Sequence, residues 1–223
     1  MPVEIASLYH AAFGIEPYPY QVWLAEDPWP DILDVPTGLG KTAAVLLAWI
    51  GRRINRDAGT PRRLVWCLPM RVLAEQTFAL AQQCCQALQD AGLCRHAPRV
   101  FMLRGGHIDR DWVACPEDDA ILVGTQDQLL SRALNRGYAV SRFRWLLDFA
   151  LLNNDCLWVF DEVQLMGAGL HTSMQLDAFR DLFGTVFPCR SLWMSATMNE
   201  GWRARRSTRR WRPLSSERTV RKP

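Results

Sequence analysis

Lysine is almost absent: of 26 basic residues only Lys41 and Lys222 are lysine, so a lysine inside a glycine-rich stretch stands out against an arginine background. Paired cysteines are also missing, since the seven cysteines at 67, 84, 85, 94, 115, 156 and 189 include no CxxC, and Cys67, Cys115 and Cys156 lie in or beside apolar runs. This pattern fits reduced, buried thiols in a cytoplasmic chain. Long apolar runs are lacking too. The longest, Ala43 to Ile50, is far short of the roughly 18 residues of a membrane span, and MPVEIASLYH has neither the basic nor the apolar region of a signal peptide. A secreted or membrane-spanning protein is therefore not expected. Repeats and low-complexity tracts do not occur before residue 200.

What is present is an ordinary globular composition, 223 residues of which 49% are hydrophobic and 22% charged. That length suits one full domain and excludes a two-domain motor. Such a domain buries roughly 70% of its unfolded surface, so its core needs no disulfide or metal. The net charge of +3 is unevenly spread: residues 201–223 hold eight arginines and one lysine against one glutamate, leaving the body acidic. That tail has few aliphatic residues and no period, so disorder is expected. Two origins fit it, a nucleic-acid arm held by phosphate contacts or the translation of a shifted reading frame.

Short apolar runs alternate with longer segments of helical period, the pattern of βα units on a parallel sheet. Strands are expected near 31–35, 64–68, 100–103, 120–123, 156–160 and 191–194, with crossover helices at 42–53, 71–91, 126–134, 143–152 and 170–183. The fold class is α/β, a mostly parallel sheet flanked by helices.

Three segments carry chemistry. Val35-Pro36-Thr37-Gly38-Leu39-Gly40-Lys41-Thr42 follows an expected strand and opens an expected helix. There the glycines let backbone N–H groups approach phosphates, Lys41 reaches the β- and γ-phosphates, and the Thr42 hydroxyl can bind Mg²⁺. The loop departs from the usual P-loop pattern at Val35, where the first glycine would stand. Leu157 to Phe160 is an apolar strand ending in Asp161-Glu162, 120 residues after Lys41. In such a Walker B element Asp161 holds Mg²⁺ and Glu162 orients the attacking water; alone, the pair could equally be a solvated helix start. Leu192-Trp193-Met194-Ser195-Ala196-Thr197 is a third apolar strand, ending in Ser-Ala-Thr 34 residues after Asp161.

In this order PTGLGKT, DEVQ and SAT resemble motifs of superfamily 2 helicases. Tyr20-Gln21, LPMRVLAEQT at 68–77, Gly105-Gly106 and GTQDQLL at 124–130 fall in the same order. The resemblance covers about residues 17–198, one RecA-like P-loop NTPase domain within residues 1–200, with 201–223 outside it. PYPYQ, PMRVLAEQT, GTQDQLL and DEVQ look most like the CRISPR-associated helicase–nuclease of type I systems, an enzyme recruited by a guide-RNA surveillance complex to degrade target DNA.

That resemblance implies ATP and Mg²⁺ as ligands, with Lys41, Asp161 and Glu162 catalytic and Thr42 and Asp161 on the metal. Gln21, Thr37, Gly38, Leu39, Gly40, Lys41 and Thr42 would bind the nucleotide, Gln21 at the adenine. Arg71, Thr125 and Gln126 would contact single-stranded nucleic acid, DNA being favoured over RNA by the resemblance while no motif of the sequence itself separates the two. Gln164, Ser195 and Thr197 would couple hydrolysis to strand movement, although Gln164 stands where the family more often has histidine.

Two family features are missing. No histidine is followed by aspartate, so the HD nuclease signature is absent, and no QxxGRxxR pattern supplies the arginine fingers of a second RecA-like domain. The isolated chain is therefore expected to bind MgATP weakly and turn it over poorly. Three readings stay open at this point: a shortened helicase domain, a non-catalytic ATP- or DNA-binding module, and a P-loop ATPase completed by another chain.

Overall fold

The computed structural model describes residues 2–103, 111–136 and 142–196. Gly105, Gly106, Thr197 and the tail at 201–223 lie outside the described residues. Six strands form one sheet: β1 Ile32–Asp34, β2 Arg63–Leu68, β3 Arg99–Leu103, β4 Ala120–Thr125, β5 Cys156–Phe160 and β6 Cys189–Ser195, in the order β1-β6-β5-β2-β4-β3. Every pairing is parallel. The helices are α1 Ile5–Phe13, α2 Pro19–Glu26, α3 Lys41–Ile54, α4 Arg71–Asp90, α5 Asp111–Ala114, α6 Gln126–Ala133, α7 Arg142–Leu152 and α8 Ala168–Phe183.

The strands read as continuous apolar runs because both faces of the sheet are covered. Alternate side chains then enter two cores. Leu64, Trp66, Leu157, Val159, Leu192 and Met194 face α1, α2, α3 and α4. Val65, Cys67, Trp158, Phe160 and Trp193 pack toward Trp112 of α5, Leu129 of α6 and Leu176 of α8. Phe160 stacks between Trp158 and Trp193, with ring centroids 5.4 and 5.7 Å apart, so the second core is built round an aromatic ladder across adjacent strands.

The expected strands and crossovers all occur, and the sheet is parallel throughout. Two helices, α1 and α2, join the set at the N-terminus. Leu8 of α1 is fully buried and packs so closely on α3 that a Cβ on Gly51 would lie 2.8 Å from its Cδ1. Gly51 thus permits a helix–helix approach that alanine would obstruct. A buried ion pair ties the other face, with Arg132 Nη1 of α6 donating to Asp148 Oδ2 of α7 at 3.0 Å; their side chains are 0% and 1% exposed.

The strand order positions the site. β6, last in sequence, inserts between β1 and β5, so the ends of the strands that lead into the glycine loop and into Asp161-Glu162 flank Ser195. Crevices outside the carboxyl ends of parallel strands are where open α/β sheets bind ligands.

Candidate functional site

The glycine loop runs from the end of β1 into α3. Gly38 and Gly40 have φ of 84° and 73°, left-handed values that a side chain disfavours, and Gly40 is the residue from which α3 starts. Thr37 is exposed, Leu39 and Thr42 are half-buried, and Lys41 at the first position of α3 is 8% exposed. Lys41 Nζ is buried with no hydrogen-bond partner and lies 4.0 Å from Glu162 Oε1. A buried ammonium with unused donors is costly by itself, which marks the place as one made for an anion.

Behind the loop, α2 holds it from one side. Gln21 Nε2 and the Tyr20 hydroxyl both donate to the carbonyl of Leu39, the glutamine at 3.1 Å. Gln21 Oε1 in turn accepts from the Tyr18 N–H at 2.8 Å, closing a capping box at the start of α2. A Cβ on Gly40 would stand 3.4 Å from Gln21 Nε2, so loop and glutamine are in contact. Gln21 is thus buried against the loop backbone. Tyr20, named in the sequence only as the neighbour of Gln21, shares the hold on Leu39.

Asp161 and Glu162 follow β5. Asp161 is buried; its Oδ1 accepts the Glu162 N–H at 2.9 Å and its Oδ2 accepts the Trp66 indole N–H at 3.3 Å. Burial, and then the neighbouring Glu162 charge, push the Asp161 carboxyl up to about 6, opposed by those two hydrogen bonds and by Lys41. Trp66 was invisible as a site residue because it sits mid-strand in an apolar run; the need of a buried indole N–H for an acceptor was the signal available. Glu162 adopts φ 50° and ψ 47°, a left-handed backbone unusual for a non-glycine residue, and turns its side chain toward Lys41.

Glu162 also accepts a short hydrogen bond from the Gln164 amide at Oε2, while Gln164 Oε1 accepts from the Ser195 hydroxyl at 2.7 Å. The amide suits both neighbours, its NH₂ facing a carboxylate and its oxygen a hydroxyl. Lys41, Glu162, Gln164 and Ser195 thereby form one chain of contacts across the ends of β1, β5 and β6.

The residues expected at nucleic acid lie beside it. Leu68 and Thr125 are register partners at the ends of β2 and β4, and β2 adjoins β5. Arg71, at the start of α4, is exposed and paired with Glu75 at 2.9 Å. Thr125 is half-buried at the start of α6 and makes no side-chain cap. Gln126 is turned inward: its Oε1 is buried without a hydrogen-bond partner, and a Cβ on Gly169 of α8 would come within 2.1 Å of it. Among the described residues no cluster of three or more His, Cys, Asp or Glu side chains could hold a metal, and no helix is long and apolar enough to cross a membrane.

No curated protein matches the chain. Among solved structures it is similar to Dbp5 of S. cerevisiae bound to RNA and ADP BeF3, with 18% identity over 90% of this chain and 46% of that one and a TM-score of 0.58. A DEAD box protein from Methanococcus jannaschii gives 19% identity, 90% and 49% coverage and a TM-score of 0.59. Mss116 bound to single-stranded RNA and UDP-BeF gives 21%, 90%, 40% and 0.58. The chain thus spans less than half the length of these structures, and at such identities they share its RecA-like fold. The model of the DEAD/DEAH box helicase family matches residues 31–204, from the strand before the glycine loop to beyond Ser195. That match takes in most of the chain, which belongs to the DEAD/DEAH box helicase family.

Proposed function

We propose that the chain is the ATP-binding first motor domain of an ATP-dependent DNA helicase or translocase acting in CRISPR interference. The observation that carries the motor reading is the contact chain Lys41, Glu162, Gln164 and Ser195, which joins the phosphate loop to the strand end expected to sense hydrolysis. The finer assignment rests on the PYPYQ, PMRVLAEQT, GTQDQLL and DEVQ segments.

In this reading ATP is the substrate. Lys41, buried with unused donors, takes oxygens of its β- and γ-phosphates, together with the backbone N–H groups at Gly38 to Thr42. The Thr42 hydroxyl and Asp161 carboxylate are hard oxygen donors and fit Mg²⁺, which commonly uses one or two protein groups and completes its shell with phosphate and water. Bound there, the ion would neutralise charge on the phosphates. Glu162, held between Lys41 and Gln164, orients the attacking water and accepts its proton. Loss of the Lys41 contact to an incoming phosphate frees Glu162 for that role. Gln21 reads adenine by exchanging its bond to Leu39 for one to the base, with Thr37 and Leu39 at the edge of the site.

The strand is held across the ends of β2 and β4 by Arg71 and Thr125, the Gln126 side chain being turned away onto α8. Contacts to backbone position the strand without reading its sequence. Selection of a target then falls to a guide-RNA partner complex. Thr197 completes the coupling set with Ser195. RNA is the second reading for the strand, favoured by the RNA-bound Dbp5 and Mss116 structures.

Binding of a fluorescent ATP analogue with Mg²⁺ tests the nucleotide site. Affinity should fall at least about ten-fold in Lys41→Ala, a loss of about 1.4 kcal/mol or more; unchanged affinity would remove the site. Titration with matched single-stranded DNA and RNA decides the strand, and capture by a guide-RNA complex on its DNA target, but not without target, tests the CRISPR role. ATPase activity rising faster than linearly with protein concentration would instead indicate a site completed by a second chain.

A further inference from the structure

At the opposite end of the sheet from the glycine loop, Cys156 and Cys189 are the first residues of β5 and β6 and are partners in the parallel register. Adjacent strands run about 4.8 Å apart, inside the Cα separation of roughly 4.4–6.8 Å that a disulfide spans. As register partners the two side chains project to the same face of the sheet and pack into the same core. Their surroundings differ. Cys156 is fully buried and its thiol also faces the carbonyls of Leu151 and Asn154 at 3.1 and 3.3 Å. Cys189 is half-buried and lines a surface cavity of about 470 Å³ with Trp29, Asp177 and Ser191.

Arg180 of α8 supplies a positive charge on Cys189. It is 6% exposed and stacks over an indole, its guanidinium carbon lying 4.9 Å from the Trp158 ring centroid, while Nε donates to Asn153. Both terminal nitrogens are buried without a hydrogen-bond partner. The neighbouring Cys156 and the Arg180 charge hold the Cys189 thiol below its ordinary value, against burial and Asp177, whereas burial raises Cys156. Reactive thiols are the thiolate-prone, partly exposed ones beside positive charge.

We propose that Cys156 and Cys189 are an oxidisable thiol pair, entered at Cys189 by a small disulfide and closed by Cys156. Cys189 thiolate attacks one sulfur of the disulfide RSSR, forming Cys189–S–SR and expelling RS⁻. Cys156, losing its proton, then attacks Cys189 Sγ and expels the second RS⁻. The two protein thiols lose two electrons and two protons, and RSSR gains both as two RSH. The bond would tie the starts of β5 and β6 without touching the nucleotide site.

Site-resolved mass spectrometry of the full chain after incubation with glutathione disulfide tests this. A Cys156–Cys189 cross-linked peptide is expected; Cys156→Ser should stop at a glutathione adduct on Cys189, and Cys189→Ser should give neither. Iodoacetamide labelling of the reduced native chain needs no variant: Cys189 should label at least about ten-fold faster than buried Cys84. Arg180→Gln should slow Cys189 several-fold. A cross-link confined to other cysteines, or labelling of Cys189 no faster than Cys84, overturns the proposal.

Discussion

Replacing Asp161 with asparagine should stabilise the ligand-free protein near neutral pH even though it removes a residue of the proposed catalytic set. Burial and Glu162 raise the Asp161 carboxyl from 3.8 to about 6, so its ionisation opposes folding. The cost is absent while the group is protonated in both states, below about pH 4, and is fully present above about pH 6. A gap of about two pH units at about 1.36 kcal/mol each amounts to about 3 kcal/mol. Asparagine does not ionise, but it cannot accept from both Trp66 and the Glu162 N–H as the carboxylate does, which returns about 1 kcal/mol. The net expectation is a gain of about 1–2 kcal/mol at pH 7.5 and a loss of about 1 kcal/mol below pH 4. Urea unfolding of both proteins in EDTA across this range reads the difference directly. A variant whose stability relative to the parent does not change between pH 4 and 7.5 would refute the electrostatic reasoning.

Other perturbations separate structural from functional roles. Asp148→Ala leaves Arg132 buried without its partner and should cost about 3–5 kcal/mol by urea unfolding, whereas an exposed pair would cost less than about 1 kcal/mol. Trp193→Ala removes a fully buried indole that stacks on Phe160 and donates to Ser173 Oγ at 2.9 Å; a loss of about 3–5 kcal/mol is expected in the same assay. Arg71→Ala should change stability by less than about 0.5 kcal/mol, because its pair with Glu75 is exposed, yet weaken single-strand binding and lower its salt dependence. Glu162→Gln should keep nucleotide binding and lose any strand-stimulated hydrolysis, measured by phosphate release.

Strands and crossovers were legible in the sequence because a parallel sheet covered on both faces demands unbroken apolar runs such as LVWCL and LWVF, bounded by turn residues. The glycine loop was legible because its chemistry is contiguous. α1 and α2 were not, for physical reasons. They have 9 and 8 residues, too short for propensity to establish, and α1 begins at Glu4 without a side-chain cap. What holds α1 is Leu8 against Gly51, a contact between residues 43 apart. The same limit hid Trp66 beside Asp161, 95 residues away, and the inward turn of Gln126 onto Gly169. Gln164 gains its meaning from Glu162 on one side and Ser195 on the other.

The insertion of β6 between β1 and β5 bears on how such a chain comes off the ribosome. β1, only three residues long, finds its sheet partner in Trp193, Met194 and Ser195, and the glycine loop hangs from its end. The glycine loop is synthesised before β2 to β5 and well before β6, the strand that anchors it. During synthesis β2 to β5 can pair with one another while β1 waits, so nucleotide-binding competence should arrive abruptly, when residue 195 clears the exit tunnel, and not gradually with chain length. Long-range parallel pairings of this kind are slow to close, and the waiting edge of β5 is the surface on which a nascent chain would go astray.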